Sequence, residues 1–137
     1  MSGYDVFMKA GAIIAEIPKV MSRASTDAAE GLEDVIAEQF IGGHDPHGNR
    51  WKAKKDGTAS HLFKTGALAA VRVVPMPGAG VVVEFDEPYA TYHQHGTSKM
   101  PARPLAPEDG DFESSLWHAP IEKAYVLALE RQLARLK

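Results

Sequence analysis

Residues 69–85, AAVRVVPMPGAGVVVEF, decide the fold class of this 137-residue chain. Two valine-rich runs, Ala69 to Met76 and Val81 to Phe85, flank Pro77-Gly78-Ala79-Gly80. Branching at Cβ stiffens χ1 and suits a pleated strand, while Pro and Gly supply the φ angles of a tight turn. The pattern predicts a β-hairpin. Alternation puts Val81, Val83 and Phe85 on one face of the second strand, and Val82, Glu84 and Asp86 on the other. In the first strand Val71 and Val73 oppose Arg72 and Val74, which leaves open the face that is buried. A two-stranded ribbon is marginal in water, so other elements must cover it.

Helical patterns on either side supply that cover. From Val6 to Phe40, apolar residues recur mostly by threes and fours, through Ile13, Ile17, Val20, Met21, Ala24, Ala28, Leu32, Val35 and Ile36. Pro18 removes a backbone donor and crowds the turn before it. Ser25-Thr26-Asp27, with Glu30 three residues after Asp27, resembles a capping box. The segment therefore predicts either one long helix kinked at Pro18 or two helices, ending near Phe40-Ile41 with Gly42-Gly43 as the stop. Pro120 to Lys137 predicts a second helix, with Pro120 at its first position and an apolar stripe of Ile121, Tyr125, Ala128, Leu129, Leu133 and Leu136. Arg131, Arg135 and Lys137 complement the macrodipole at its C-terminal end. The expected fold is α+β: a long N-terminal helix, kinked or split, and a C-terminal helix packed on a small antiparallel sheet. One domain spans residues 1–137, with extended loops at 42–61 and 96–112.

The bulk composition narrows the function. Zero cysteines remove disulfides, thiolate metal sites and cysteine nucleophiles together, and fit a reducing compartment. No apolar run approaches the roughly 18 residues that a membrane helix needs, and the N-terminus shows no secretory pattern. A net charge of −3 argues against general coating of DNA, which needs basic surface to neutralise phosphates.

Tyr89 to Pro107, YATYHQHGTSKMPARPLAP, is the stretch that departs from a generic α+β domain. It opens as a helical turn of aromatic and histidine residues and breaks at Gly96-Thr97. Pro101, Pro104 and Pro107 then exclude helix interior and central strand. A connection this long is more often functional than idle. Residues 42–61, GGHDPHGNRWKAKKDGTASH, form the other aperiodic stretch.

Both stretches carry candidate chemistry. His44, Asp45, His47, His93 and His95 could be assembled into the site of a metal-dependent hydrolase. No metalloprotease-type spacing is present, however, and in an extended loop His93 and His95 point to opposite sides. Ser60 or Ser98 beside a histidine lacks a nucleophile elbow. Glu108, Asp109 and Asp111 lie in an acidic loop with nothing to raise a pKa. Arg50, Trp51, Lys52, Lys54 and Lys55 have the composition of a nucleic-acid-contacting loop, the alternative being that Trp51 tucks back on the core.

Three blocks, in order, resemble the phage virion morphogenesis (tail completion) proteins, a family of head–tail connectors. FIGGHDPHGNRW is similar to that family's F-x(n)-D-P-x-G-x-x-W block. LFKTGALAAV is similar to its L-x-x-T-G-x-L block. YATYHQHGTSKMPARPLAP is similar to its Y-A-x-x-H-Q-x-G … P-A-R-P-F-L block, departing at Leu105, where an aromatic is usual. The three cover Phe40 to Pro107, about half the chain.

The resemblance implies a structural virion protein at the head–tail junction or tail terminus, not an enzyme, with no catalytic residue, metal or cofactor. It implies a homo-oligomeric ring, commonly hexameric, assembled in the bacterial host cytoplasm. The ring would join head and neck to tail beside other connector and tail-tube proteins. DNA would pass through the lumen without sequence-specific binding, and no membrane would be involved. A mildly acidic subunit suits a passage in which DNA must slide.

Residue roles follow from physics beside that resemblance. Asp45, Pro46 and Gly48 are expected to define a tight turn that returns Trp51 to the body as an anchor. Thr65-Gly66 is expected to launch the hairpin. The proline arm is stiff, which lowers the entropy lost when it docks. Tyr92, His93, Gln94, Met100, Pro101, Arg103 and Pro104 are the expected subunit-interface residues, with Arg103 placed for a bidentate contact to a neighbour's carboxylate. The other reading has the arm folded back over its own sheet.

Overall fold

The computed structural model of the protein describes residues 11–53, 71–76, 78–85, 90–98 and 101–135. The chain is α+β. A long helix, α1 (Ile17–Gly42), is followed by a hairpin of β1 (Val71–Pro75) and β2 (Val81–Phe85) and a short helix, α2 (Ala90–His95). A 3₁₀ turn (Phe112–Ser114) then leads into a last helix, α3 (His118–Ala134). None of the described helices is long and apolar enough to cross a membrane.

The N-terminal helical run breaks at Glu16, two residues before Pro18. Residues 11–15 are helical, Glu16 is a turn, and α1 begins at Ile17 with Pro18 in its first turn, where a missing amide costs least. Ser25-Thr26-Asp27 does not start a second helix. It lies mid-helix, where the Ser25 hydroxyl donates back to the Met21 carbonyl at 3.0 Å, as a serine does inside a continuing helix. The far end is closed by Gly43 at φ 71°, whose N–H reaches the Gln39 carbonyl at 2.9 Å.

The core gathers where α1 meets the hairpin and the C-terminal half of the chain. Leu32, Ile36 and Phe40 of α1 pack with Trp51, Leu105 and Trp117, all nearly fully buried. Strand register settles which hairpin face turns inward. Val71 lies opposite Phe85, Val73 opposite Val83 and Pro75 opposite Val81, and Val71, Val73, Val81, Val83 and Phe85 pack on that core. Arg72 faces Glu84 across the outer side, 3.5 Å apart and largely exposed.

Helix α3 starts two residues before Pro120 and lies along α1. The helices come close at Gly31, where an added Cβ would meet Pro120 Cβ at 3.1 Å. Its inward face follows the expected apolar stripe through Ile121, Tyr125 and Ala128 but departs from it at Leu129 and Leu133, and Leu136 lies outside the described residues. Ile121, Tyr125 and Ala128 are half-buried, the next residue on that face is the buried Gln132, and Leu129 and Leu133 are 38% and 61% exposed. The cause is the partner surface: Gln132 Nε2 donates to the Ile13 carbonyl at 3.0 Å and to Glu16 at 3.1 Å, and Arg135 pairs with Glu16. Gln132 and Arg135 hold the Glu16 carboxyl below its ordinary value by hydrogen bonding. Tyr125 ties all three layers together. Its hydroxyl accepts from Gly80 N–H at 2.6 Å and lies 2.7 Å from Ser25 Oγ. Ser25 has already given its proton to Met21, so Tyr125 donates to Ser25 and the relay is satisfied end to end.

Thr65, Gly66, Met100, Lys54, Lys55 and Ser60 lie outside the described residues, as does the block at 62–68.

Candidate functional site: an arm locked to a turn

Asp45 builds the turn after α1. Its Oδ1 accepts from the N–H groups of His47 and Asn49, both at 2.9 Å, and its carbonyl accepts from Gly48 N–H at 3.0 Å. Gly48 sits at φ 88°, in the left-handed region where a side chain is strained. An isolated bridge pairs His44 with Arg50, and Trp51 N–H returns to the Gly43 carbonyl at 2.9 Å. Pro46 is fully buried and its carbonyl accepts from Leu116 N–H at 2.7 Å, which fastens the turn to the start of the C-terminal segment.

That turn sends Trp51 inward. The indole is 6% exposed, its ring meets Phe40 edge-on at 5.6 Å, and its Nε1–H donates to the Pro104 carbonyl at 2.8 Å. It is therefore not presented for stacking on a base.

Residues 101–107 run extended over the turn and are held by side chains aimed at main-chain groups. Gln39, fully buried on α1, donates to the Leu105 carbonyl at 2.7 Å and accepts from Trp117 Nε1–H at 3.0 Å. Gln94 on α2 accepts from the N–H groups of Leu105 and Ala106 at 2.8 and 3.0 Å, and donates to the Ala106 carbonyl at 2.8 Å. Leu105 is thereby drawn into the core at 2% exposure. Arg103 N–H donates to the His93 carbonyl, while its guanidinium donates to the carbonyls of Lys52 and Ala53 at 2.9 and 3.1 Å. The fork expected to reach a neighbour's carboxylate is turned onto its own chain, where the segment leaving Trp51 presents the carbonyls of Lys52 and Ala53. Of the other expected interface residues, His93 is buried, Gln94, Pro101 and Pro104 are half-buried, and Tyr92 is 49% exposed.

The histidines are dispersed. The His44 ring bonds the Asp45 carbonyl at 2.8 Å, His47 bridges Asp111 at 3.2 Å and the Ser114 carbonyl at 3.4 Å, and His95 lies 3.8 Å from Glu108. Among the described residues no three His, Asp or Glu side chains converge as a metal ion requires. Ser98 is exposed, and Asp111 is paired with His47 at 3.2 Å.

Sequence reasoning missed Gln39, Gln132 and Ser25, the buried polar residues that join segments far apart in the chain. Gln39 had one signal: it shares the helix face of Ile36 and Phe40, where a polar residue must find partners.

Comparison with protein-family models, with curated proteins and with solved structures found no match.

Proposed function

We propose that this protein is a structural subunit of the head–tail junction or tail terminus of a tailed-phage particle, forming a ring that joins head or neck to tail around the DNA path. The observation that carries the reading is the ordered set of motif blocks, together with how they meet in space. The first block supplies Trp51 and the third supplies Pro104, and their bond, with that of Arg103 to the Lys52 carbonyl just past the first block, locks turn to arm, while Gln94–Leu105 ties the arm to α2 within the third block. Motifs whose residues hold one another have a structural reason to occur together, and the knot they make gives a rigid subunit for an assembly. Because Gln94 and Arg103 bind their own chain, contacts with neighbours fall to other exposed surfaces of the subunit.

Electron microscopy and native mass spectrometry test this reading. The expected result is closed rings of uniform size, binding purified neck or tail-tube proteins of the same particle. Monomers alone, with and without those partners, overturn it.

A further inference from the structure

The two halves of α1 carry opposite charge. The first half of α1 bears Lys19 and Arg23 against Asp27, whereas its second half bears Glu30, Glu33, Asp34 and Glu38 with no cation. That order opposes the helix macrodipole, which favours acids at the N-terminus and bases at the C-terminus, so the helix's own stability does not account for it. A groove between α1 and α3 continues the basic end. Lys19 and Arg23 line one side and Lys123, Arg131 and Arg135 the other, over an apolar floor that includes Val20 and Leu127. Glu16 answers Arg135 and Asp27 adds one more acid, which leaves the groove net positive in a chain of net charge −3.

The acidic loop lies at the other end. Asp111 is tied to His47, just beyond the C-terminus of α1, and Glu108 is tied to Gln94. Asp109 and Glu113 are exposed, and between them Phe112 is 36% exposed. At 1.5 Å rise per residue, the length of α1 from Arg23 to Gly42 keeps the Lys19–Arg23–Arg135 end of the groove about 30 Å from the loop, although Lys123, at the other end, is only about a turn and a half along α3 from His118, whose ring meets Phe112. One chain cannot bring its own loop to the Arg23 end of its own groove. An aromatic flanked by acids matches an apolar floor rimmed by bases, in charge and in hydrophobicity.

Resting on the ring reading, we propose that the α1–α3 groove receives the acidic loop, Glu108 to Glu113, of a second copy. A contact between two different patches of the same subunit is head-to-tail, and its repetition generates a ring when the rotation closes.

Charge reversal tests the contact. Arg23→Glu with Arg131→Glu makes both ends acidic, and Asp109→Lys with Glu113→Lys makes both ends basic. All four residues are exposed, and circular dichroism and thermal melting of each variant check that the fold is kept. Sedimentation velocity is run on wild type, each double variant and their equimolar mixture. Expected are assembly of wild type that weakens with salt, at least roughly tenfold weaker self-association of each double variant, and recovery in the mixture, where acidic loops meet basic grooves again. If wild type assembles and either double variant assembles equally well, or the mixture stays dissociated, the contact is wrong while the ring reading stands. A wild type that stays monomeric overturns the contact, and the ring reading with it if added neck or tail-tube proteins do not assemble the chain either. Duplex DNA retained by wild type and lost by the Arg23→Glu, Arg131→Glu variant, with assembly unchanged, assigns the groove to nucleic acid and overturns the copy-to-copy contact.

Discussion

Replacing Gln39 by leucine isolates the contribution of the central knot. Leucine is close in volume, so the cavity left behind is small and packing is nearly kept. Two buried groups lose their partners: the Leu105 carbonyl at 2.7 Å and Trp117 Nε1–H at 3.0 Å. Each buried orphan costs about 1–3 kcal/mol, and because the two share one side chain the sum is not additive. An overall loss of about 2–5 kcal/mol is expected, a large fraction of the roughly 5–15 kcal/mol that holds a domain together. Urea unfolding followed by tryptophan fluorescence reads it directly, since Trp51 and Trp117 both lie in the affected region. In thermal unfolding, a loss of 3 kcal/mol at this chain length lowers Tm by roughly 10 °C. Gln94→Ala is the comparison. It releases Leu105 and Ala106 N–H groups that are only partly buried, so it should cost less globally while raising amide exchange along residues 101–107. A Gln39→Leu loss below about 1 kcal/mol with unchanged urea dependence would refute the claim that this side chain joins arm, helix and C-terminal segment.

Trp51→Phe keeps the ring against Phe40 but removes the bond to Pro104, and should cost about 1–3 kcal/mol by urea unfolding, part of it from the smaller ring. Tyr125→Phe breaks the relay from Gly80 to Ser25 and should cost about 1–2 kcal/mol, with faster exchange at the Gly80 amide. Gly48→Ala forces a side chain into φ 88° and should cost about 1–2 kcal/mol, measured the same way. The lowered Glu16 carboxyl gives a pH prediction. Its folded value lies below its unfolded one, so its stabilising effect is present above the ordinary glutamate range and lost as pH falls through the folded value. Once corrected for the slower intrinsic exchange at low pH, amide protection near Ile13 and Gln132 should fall on acidification in wild type, and Glu16→Gln should flatten that dependence.

Much of the fold was legible because it rests on local rules. The hairpin followed from β-branched runs around Pro77–Gly80, the end of α1 from Gly43, and the inward turn of Trp51 from the poor tolerance of an exposed indole. What could not be read was what each segment docks on. Proline spacing showed that the arm is stiff, but stiffness does not say which surface it lies against, and Gln39 and Gln94 settle that from 66 and 11 residues away from Leu105. The face of α3 was misjudged for a related reason. Leu129 and Leu133 fit an apolar period, yet the segment just before α1 offered Ile13's carbonyl and Glu16, which a glutamine satisfies and a leucine cannot.

The way the arm is fastened predicts its own pattern of mutational tolerance. The acceptors at Lys52, Ala53, Pro104, Leu105 and Ala106 are peptide carbonyls, which every amino acid carries, whereas the donors are the particular side chains of Gln39, Trp51, Gln94 and Arg103. A saturation library selected for folding should therefore accept wide variety at Lys52 and Ala53, reject most changes at the buried donors Gln39 and Trp51, and deplete changes at the less buried Gln94 and Arg103 to a smaller degree.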